Sequence, residues 1–377
     1  VARESFKIAV LPGDGIGPEV VSPCLEVLDA VRDVVGGFSL EYDSLEAGAT
    51  FYALTGDSLP AETLRRSAEA DAVLLGAMGM PDIRYPDGTE IAPHLDLRER
   101  FELFAGVRPV KTLPGLPRSL ADPRAAEIDL VIVRESTEGL FAARARTVRE
   151  GDRAARDTMV ITREASERLF HYAFRLARRR KAQGRPGRVT LVDKANALGA
   201  FAFFRGIFDD CARQYPDVAA QRSYVDAMGL NLVKRPWDFD VLVTENMFGD
   251  ILSDVGAGLV GGMGLAPSGD IGTEHAVFQP CHGSAPDIAG LGQANPVATF
   301  LSGAMMLDWL GERHASPACE RGARLLRAAV EKAFADGALV PFELGGDADT
   351  ERITRSVLDR VRSAEIRREV ESAEGSR

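Results

Sequence analysis

Asp250 and Asp254 lie four residues apart in the run Asn246-Met247-Phe248-Gly249-Asp250-Ile251-Leu252-Ser253-Asp254. On a helix that spacing projects the two carboxylates side by side. Like charges this close repel unless a cation lies between them, and hard oxygen donors suit Mg2+ or Mn2+. An isolated pair of this kind is ordinarily a solvated helix face. Here the apolar run Val241-Leu242-Val243 precedes the pair, and a glycine-rich run from Gly256 to Gly264 follows it. The pair therefore falls just past a buried strand, which favours a metal site. Ile251, Val255 and Leu259, spaced by four, are expected to form the apolar stripe of the same helix.

Other charged residues fall in comparable places. Arg134 follows the apolar run 128–133, and Lys194 follows 189–192 with Asp193 between. Arg98 and Arg108 flank Phe101-Glu102-Leu103-Phe104, and Asp226 follows Tyr224-Val225. Ligands of open α/β sheets bind at the carboxyl ends of strands. Taken together, Arg98, Arg108, Arg134, Lys194, Asp226, Asp250 and Asp254 suit a small, multiply anionic substrate held on a divalent metal.

The elements that must position these groups alternate along the chain. Short apolar runs at 6–11, 72–75, 128–133 and 189–192 are interleaved with helical patterns, including a long amphipathic helix over 163–181 and a buried one over 300–310. This predicts an α/β protein with a largely parallel core sheet. The 377 residues are enough for two domains. The turn Gly13-Asp14-Gly15-Ile16-Gly17 has the spacing G-x-G-x-G, not that of a dinucleotide fingerprint, and reads as a tight strand-to-helix turn near a site. The basic run Arg178-Arg179-Arg180-Lys181 reads as a solvated helix end. The polar segment 142–162, with a turn at Glu150-Gly151-Asp152, reads as a projecting hairpin that needs a partner surface, a second subunit being the natural one.

Composition narrows the classes. A net charge of -11 opposes a general nucleic-acid or anionic-membrane binder. The four cysteines lack CxxC or zinc-ligand spacing, as expected of a reduced cytoplasmic protein. The first ten residues lack the apolar stretch of a secretory signal, the leading valine suggests trimming, and no apolar run is long enough to span a membrane.

The segment Leu97–Lys111 resembles the substrate-arginine segment of the isocitrate and isopropylmalate dehydrogenases. Arg134-Glu135-Ser136-Thr137-Glu138-Gly139, Val192-Asp193-Lys194-Ala195-Asn196, Tyr224-Val225-Asp226-Ala227-Met228 and Asn246–Asp254 are similar to further motifs of that family, in the same order. His282-Gly283-Ser284-Ala285-Pro286-Asp287-Ile288-Ala289-Gly290 with Asn295-Pro296 resembles its adenosine loop. The resemblance implies two α/β domains around a cleft, without a true Rossmann unit: residues 1–103 with 261–377 for the cofactor, and 104–260 for substrate, metal and dimerisation. It implies NAD-dependent oxidative decarboxylation of a malate-type 2-hydroxy acid by a homodimer with shared active sites. Arg98, Arg108 and Arg134 would bind substrate carboxylates. Asp250 and Asp254, with Asp226 from the second subunit, would hold Mg2+ or Mn2+, and Lys194, also from the second subunit, would take the hydroxyl proton. Asp226 and Lys194 together form its catalytic pair. His282, Gly283, Ala285, Asp287, Ile288 and Asn295 would bind the cofactor. Asp287-Ile288 stands where NADP-using members carry Lys-Tyr, so the resemblance implies NAD.

The chain also departs from the pattern. Phe141 occupies the usual place of a proton-donating tyrosine. Ala92-Pro93-His94-Leu95, before Arg98, matches neither the apolar pocket nor the carboxylate clamp of the two named classes. Gln279 stands where a glutamate is common, and Glu245 where a neutral residue is usual. Two functional readings follow: an isopropylmalate dehydrogenase-like enzyme, with tartrate, D-malate and isocitrate enzymes as neighbours, or a non-catalytic ligand-sensing subunit of a hetero-oligomeric dehydrogenase. Retention of Lys194, Asp226, Asp250 and Asp254 favours the enzyme.

Overall fold

A computed structural model describes residues 4–143 and 146–374. Ten strands form one sheet: β1 Ser5–Gly13, β2 Ser39–Ser44, β3 Ala72–Ala77, β4 Ala105–Lys111, β5 Asp129–Glu135, β8 Arg188–Asp193, β9 Ala219–Tyr224, β10 Val241–Thr244, β11 Pro267–Ile271 and β12 Ala276–Pro280. The remaining two, β6 Val148–Glu150 and β7 Ala154–Arg156, make a separate antiparallel hairpin within the segment expected to project. That segment includes residues 144 and 145, which lie outside the described residues.

The sheet order is β2-β1-β3-β12-β11-β4-β5-β10-β8-β9. The first four strands are mutually parallel, as are the last four. Between them, β11 runs antiparallel to both β12 and β4, and β4 antiparallel to β5. The largely parallel sheet expected from the sequence therefore has an antiparallel centre. β3 and β10 are buried at every position. Helices cover both faces of such strands, which is why they read as unbroken apolar runs. The helices foreseen at 163–181 and 300–310 are Arg163–Ala182 and part of Val297–His314. Among the described residues no helix is long and apolar enough to cross a membrane.

The turn after β1 is tight, with Gly13 and Gly15 in the left-handed region. A Cβ on Gly15 would lie 2.0 Å from the Ser284 carbonyl oxygen, so only glycine allows the two loops to meet. The buried Asp14 between these glycines accepts backbone N–H groups of Ala49, Thr50 and Gly79, each at 2.8 Å. It thereby satisfies the first turn of the helix Ala49–Thr55 and the segment after β3 with one carboxylate.

Two sequence expectations need correction. The basic run 178–181 is not wholly solvated. Arg180 turns inward, donating Nε to Asp240 at 2.6 Å and Nη2 to the Asp129 backbone oxygen at 2.7 Å. Asp240 is fully buried and also accepts the Arg188 N–H at 3.0 Å, so the end of the long helix is tied to the starts of three strands. In the helix Asn246–Val260, Ile251 is exposed, and the buried face is carried by Gly249, Leu252, Gly256, Leu259 and Val260. Glycines at 249 and 256 let the helix lie against β4 and β5: a Cβ at 249 would come 2.6 Å from the Arg134 Cβ, and one at 256 would come 2.7 Å from a Val110 methyl.

Asp240→Ala should remove the buried acceptor that Arg180 shares with the Arg188 N–H, leaving Asp129 as the counter-charge of Arg180. Stability is expected to fall by about 2–3 kcal/mol, the loss of charged hydrogen bonds, in urea denaturation. A loss below about 1 kcal/mol would show the network to be solvated.

Candidate active site

The central strands set one wall of the site through their register. Gly106 of β4 pairs with Asp270 of β11 on one side and with Arg134 of β5 on the other. Directly opposed residues share a face, as do residues two apart, so Arg108, Arg134 and Asp270 all project from the same side of the sheet. Gln279 reaches that side from β12, opposite Ser268. Gly106 leaves the gap they converge on: a Cβ there would stand 2.8 Å from the Ser136 hydroxyl and 3.2 Å from an Asp270 oxygen. The helix Pro93–Arg100 brings Arg98 to the same cluster. Arg98, Arg108, Arg134 and Gln279 line a cavity of about 1300 Å3, with Asp270 buried behind them, and its other walls include Asn246, Asp250 and Asp254 from the helix Asn246–Val260 and Cys281-His282-Gly283 after β12.

Each arginine is held differently. Arg98 donates Nε to Asp270 at 3.0 Å, and Arg108 donates Nη2 to the other Asp270 oxygen at 3.0 Å. Gln279 donates its amide to Asp270 at 3.0 Å. Burial pushes the Asp270 carboxyl up, but the two guanidiniums outweigh it and hold it well below the usual carboxylate range. Arg134 donates Nε and Nη2 to the Asn246 side-chain oxygen, at 2.9 and 2.8 Å, and Nη1 to Asp250. The Phe141 ring lies over this guanidinium at 5.2 Å. Burial, then the Arg98 charge, lowers the Arg134 pKa to about 10, against the pull of Asp250, so it remains a cation at neutral pH.

The helix bearing the acidic pair begins under Glu245, whose buried carboxylate accepts the N–H groups of Met247 at 3.1 Å and Phe248 at 2.8 Å. This cap explains a glutamate at that position. Asp254 is pushed up by burial and then by the charge of Asp250. Two adjacent carboxylates, Asp250 partly buried and Asp254 exposed, form an oxygen donor set that fits Mg2+ or Mn2+. Among the described residues no three acidic, histidine or cysteine side chains converge as a metal cage. Asp226, an exposed residue in the first turn of the helix Val225–Lys234, pairs with Lys194 at 2.9 Å. The Lys194 hydrogen bond lowers its pKa. Neither residue lines the cavity, so a single chain brings together Arg98, Arg108, Arg134, Asp250 and Asp254 but not Lys194 and Asp226.

The loop after β12 is braced against the β1 turn. The Ser284 backbone oxygen accepts the Ile16 N–H at 2.8 Å, and its hydroxyl donates to the Gly79 oxygen. Ala285 follows in the left-handed region. His282 donates Nδ1 to the Gly283 oxygen at 2.9 Å, while its buried Nε2 has no hydrogen-bond partner among the described residues, and burial lowers its pKa. An orphaned polar atom on a cavity wall beside an open loop suits a polar cofactor. Asp287 and Gly283 are exposed, and Ile288 packs against the cluster of Ile16, Val20 and Ala294. Asn295 is buried, donating to Glu343 at 2.6 Å and accepting the Val297 N–H at 3.2 Å.

Asp270 was missed from sequence, although an aspartate inside the short run Pro267–Ile271, between two site strands, was a usable signal. It also accounts for Gln279. A second carboxylate there would sit beside the Asp270 oxygen that the amide now donates to.

Residues 7–361 match the model of the isocitrate/isopropylmalate dehydrogenase family, and the chain belongs to that family. It is 44% identical over 357 residues to the 3-isopropylmalate/3-methylmalate dehydrogenase of Methanocaldococcus jannaschii, covering 94% of this chain and 99% of that one. It is 43% identical over 364 residues to an isocitrate/homoisocitrate dehydrogenase of Thermus thermophilus, covering 95% and 99%. Among solved structures, the isocitrate dehydrogenase of Methylococcus capsulatus superposes with a TM-score of 0.82 at 38% identity, covering 95% of this chain and 100% of that one.

Asp250→Asn should remove one charged donor from the acidic pair. Mn2+ affinity measured by calorimetry should fall by on the order of 100-fold. Unchanged affinity would remove Asp250 from the metal site.

Proposed function

We propose that this chain is an NAD-dependent, Mg2+- or Mn2+-requiring β-decarboxylating dehydrogenase of a malate-type 2-hydroxy acid, like isopropylmalate dehydrogenase. The observation that carries this reading is the cavity itself. Three guanidiniums form one wall and a carboxylate pair faces them from the helix Asn246–Val260. A dicarboxylate with an adjacent hydroxyl needs that division between cationic clamp and metal seat. Arg98, Arg108 and Arg134 bind and orient the substrate carboxylates. His94 and Leu95, on the same helix as Arg98 and on the same cavity, are assigned to the substituent at the third carbon. Asp250 and Asp254, with Asp226 of a second chain, would hold the cation, which would supply Lewis-acid chemistry at the substrate hydroxyl.

Lys194 of that second chain would take the hydroxyl proton, and NAD, when bound, would supply the hydride acceptor for oxidation at C2. The β-carboxylate then leaves as CO2. Phe141 has no proton to give the resulting enol; its ring covers Arg134, so another group or water completes the product. His282, Gly283, Ala285, Ile288 and Asn295 shape the adenosine site, and Asp287 accepts the ribose hydroxyls. We assign cofactor binding to residues 1–103 with 261–377, and substrate, metal and dimer contacts to 104–260. Two copies complete each other's sites, since Lys194 and Asp226 lie outside the cavity of their own chain. Possession of both a proton acceptor and three metal carboxylates supports an enzyme over a ligand-sensing subunit.

NADH formation with Mn2+ should be seen with at least one acid among isopropylmalate, methylmalate, D-malate, tartrate, isocitrate and homoisocitrate. NAD should exceed NADP by at least ~100-fold in kcat/KM, because Asp287 repels a 2'-phosphate and that phosphate forfeits charged hydrogen bonds. Failure with all six acids would refute the reading, and equal use of NADP would refute the role of Asp287.

Shared sites have a separate test. An inactive Lys194→Ala chain mixed with an inactive Asp250→Asn chain should regain activity, since each mixed dimer holds one site with both defects and one intact site. No recovery after verified subunit exchange would place the whole site within one chain.

A further inference from the structure

We propose that Asp270 is a positioning residue for the substrate clamp, a buried counter-charge that fixes Arg98 and Arg108 in the orientation that receives the substrate. This rests on the reading that those two arginines bind substrate carboxylates. Asp270 sits on β11, its side chain 1% exposed, with both oxygens engaged: one by Arg108, the other by Arg98 and Gln279. The two arginines arrive from different elements, a helix and a strand, so nothing in local sequence sets their relative orientation. Among the described residues Arg98 has no other hydrogen-bond acceptor. Arg108 has only its neighbour's backbone oxygen, on Val107 at 3.3 Å. Asp270 takes a single nitrogen from each guanidinium, leaving the remaining N–H groups for a ligand in the cavity that both arginines line.

Charge makes the same point. Arg134 lies close enough for Arg98 and Arg108 to lower its pKa, so the clamp is three mutually repelling cations in a buried wall. Without Asp270 the flexible Arg98 side chain would swing from its neighbours toward solvent. The Gln279 amide locks the carboxylate's own rotation, since it donates to the oxygen that receives Arg98. Positioning by a fixed buried acceptor lowers the ordering cost of binding, so its loss should appear in substrate affinity.

The competing reading is an ion pair that merely fastens the helix Pro93–Arg100 to the sheet. The test is steady-state kinetics of Asp270→Asn beside the double variant Asp270→Asn/Gln279→Glu, with the acid that the parent oxidises best. The double variant exchanges donor and acceptor across one 3.0 Å hydrogen bond and returns the negative charge to the arginine pair from the neighbouring strand. Asp270→Asn should raise KM for the acid by ~10–100-fold, the loss of charged hydrogen bonds, with KM for NAD changed less than about 2-fold. The double variant should recover most of that loss. An unchanged KM for the acid, an equal rise in both KM values, or a folded double variant without recovery would each overturn the proposal. If Asp270→Asn does not fold, the double variant decides alone, and failure of both to fold makes Asp270 a folding residue and also overturns it. A parent that oxidises none of the acids defeats the proposed function instead, so the two failures are distinguishable.

Discussion

Three guanidiniums share one buried wall of this protein, and their mutual repulsion is the constraint around which the site is built. Two sets of acceptors hold them: Asp270 takes both Arg98 and Arg108, and the Asn246 amide oxygen with Asp250 takes Arg134. Removing a buried charge's partner costs more than the pair contributes, so these acceptors are as much part of the clamp as the arginines. The antiparallel centre of the sheet makes the arrangement possible. It aligns β12, β11, β4 and β5 so that Gln279, Asp270, Arg108 and Arg134 project from one face.

The acidic helix completes the balance. Its approach to β5 depends on Gly249, where any side chain would meet Arg134, and its start depends on the buried Glu245 cap. Asp250 then serves two partners, the Arg134 guanidinium and the neighbouring Asp254. On the proposed function, a divalent cation seated there would relieve the repulsion between the two carboxylates.

The exposed apolar residues Leu230, Val233 and Ile251 lie on the two helices that carry Asp226 and the Asp250–Asp254 pair. A helix that turns isoleucine outward and glycine inward does so because sheet contact at Arg134 leaves no room for a side chain. The same rotation aims the acidic stripe at the cavity. Site geometry and apolar surface thus come from a single helix orientation.

Much of this was legible in the sequence. The strand runs, the acidic pair at helical spacing, the tight turn at Asp14 and the arginines near strand ends follow from local periodicity and side-chain chemistry. Ordered motifs along the chain pointed to the family that the comparison established. Asp270 was not legible, because its role depends on the pairing of β11 with β4, an antiparallel contact between segments some 160 residues apart. Nor was the inward turn of Arg180, which answers to a buried Asp240 60 residues away. Whether Lys194 and Asp226 belong with the arginines of their own chain was likewise a tertiary matter, and within one chain they do not meet the cavity. Sequence by itself determined which groups were available and on which kind of element each would stand, since those depend on neighbours a few residues away. Tertiary structure decided which charges face one another, because that is set by strand order and register, and a one-residue slip would turn each to the other side of the sheet.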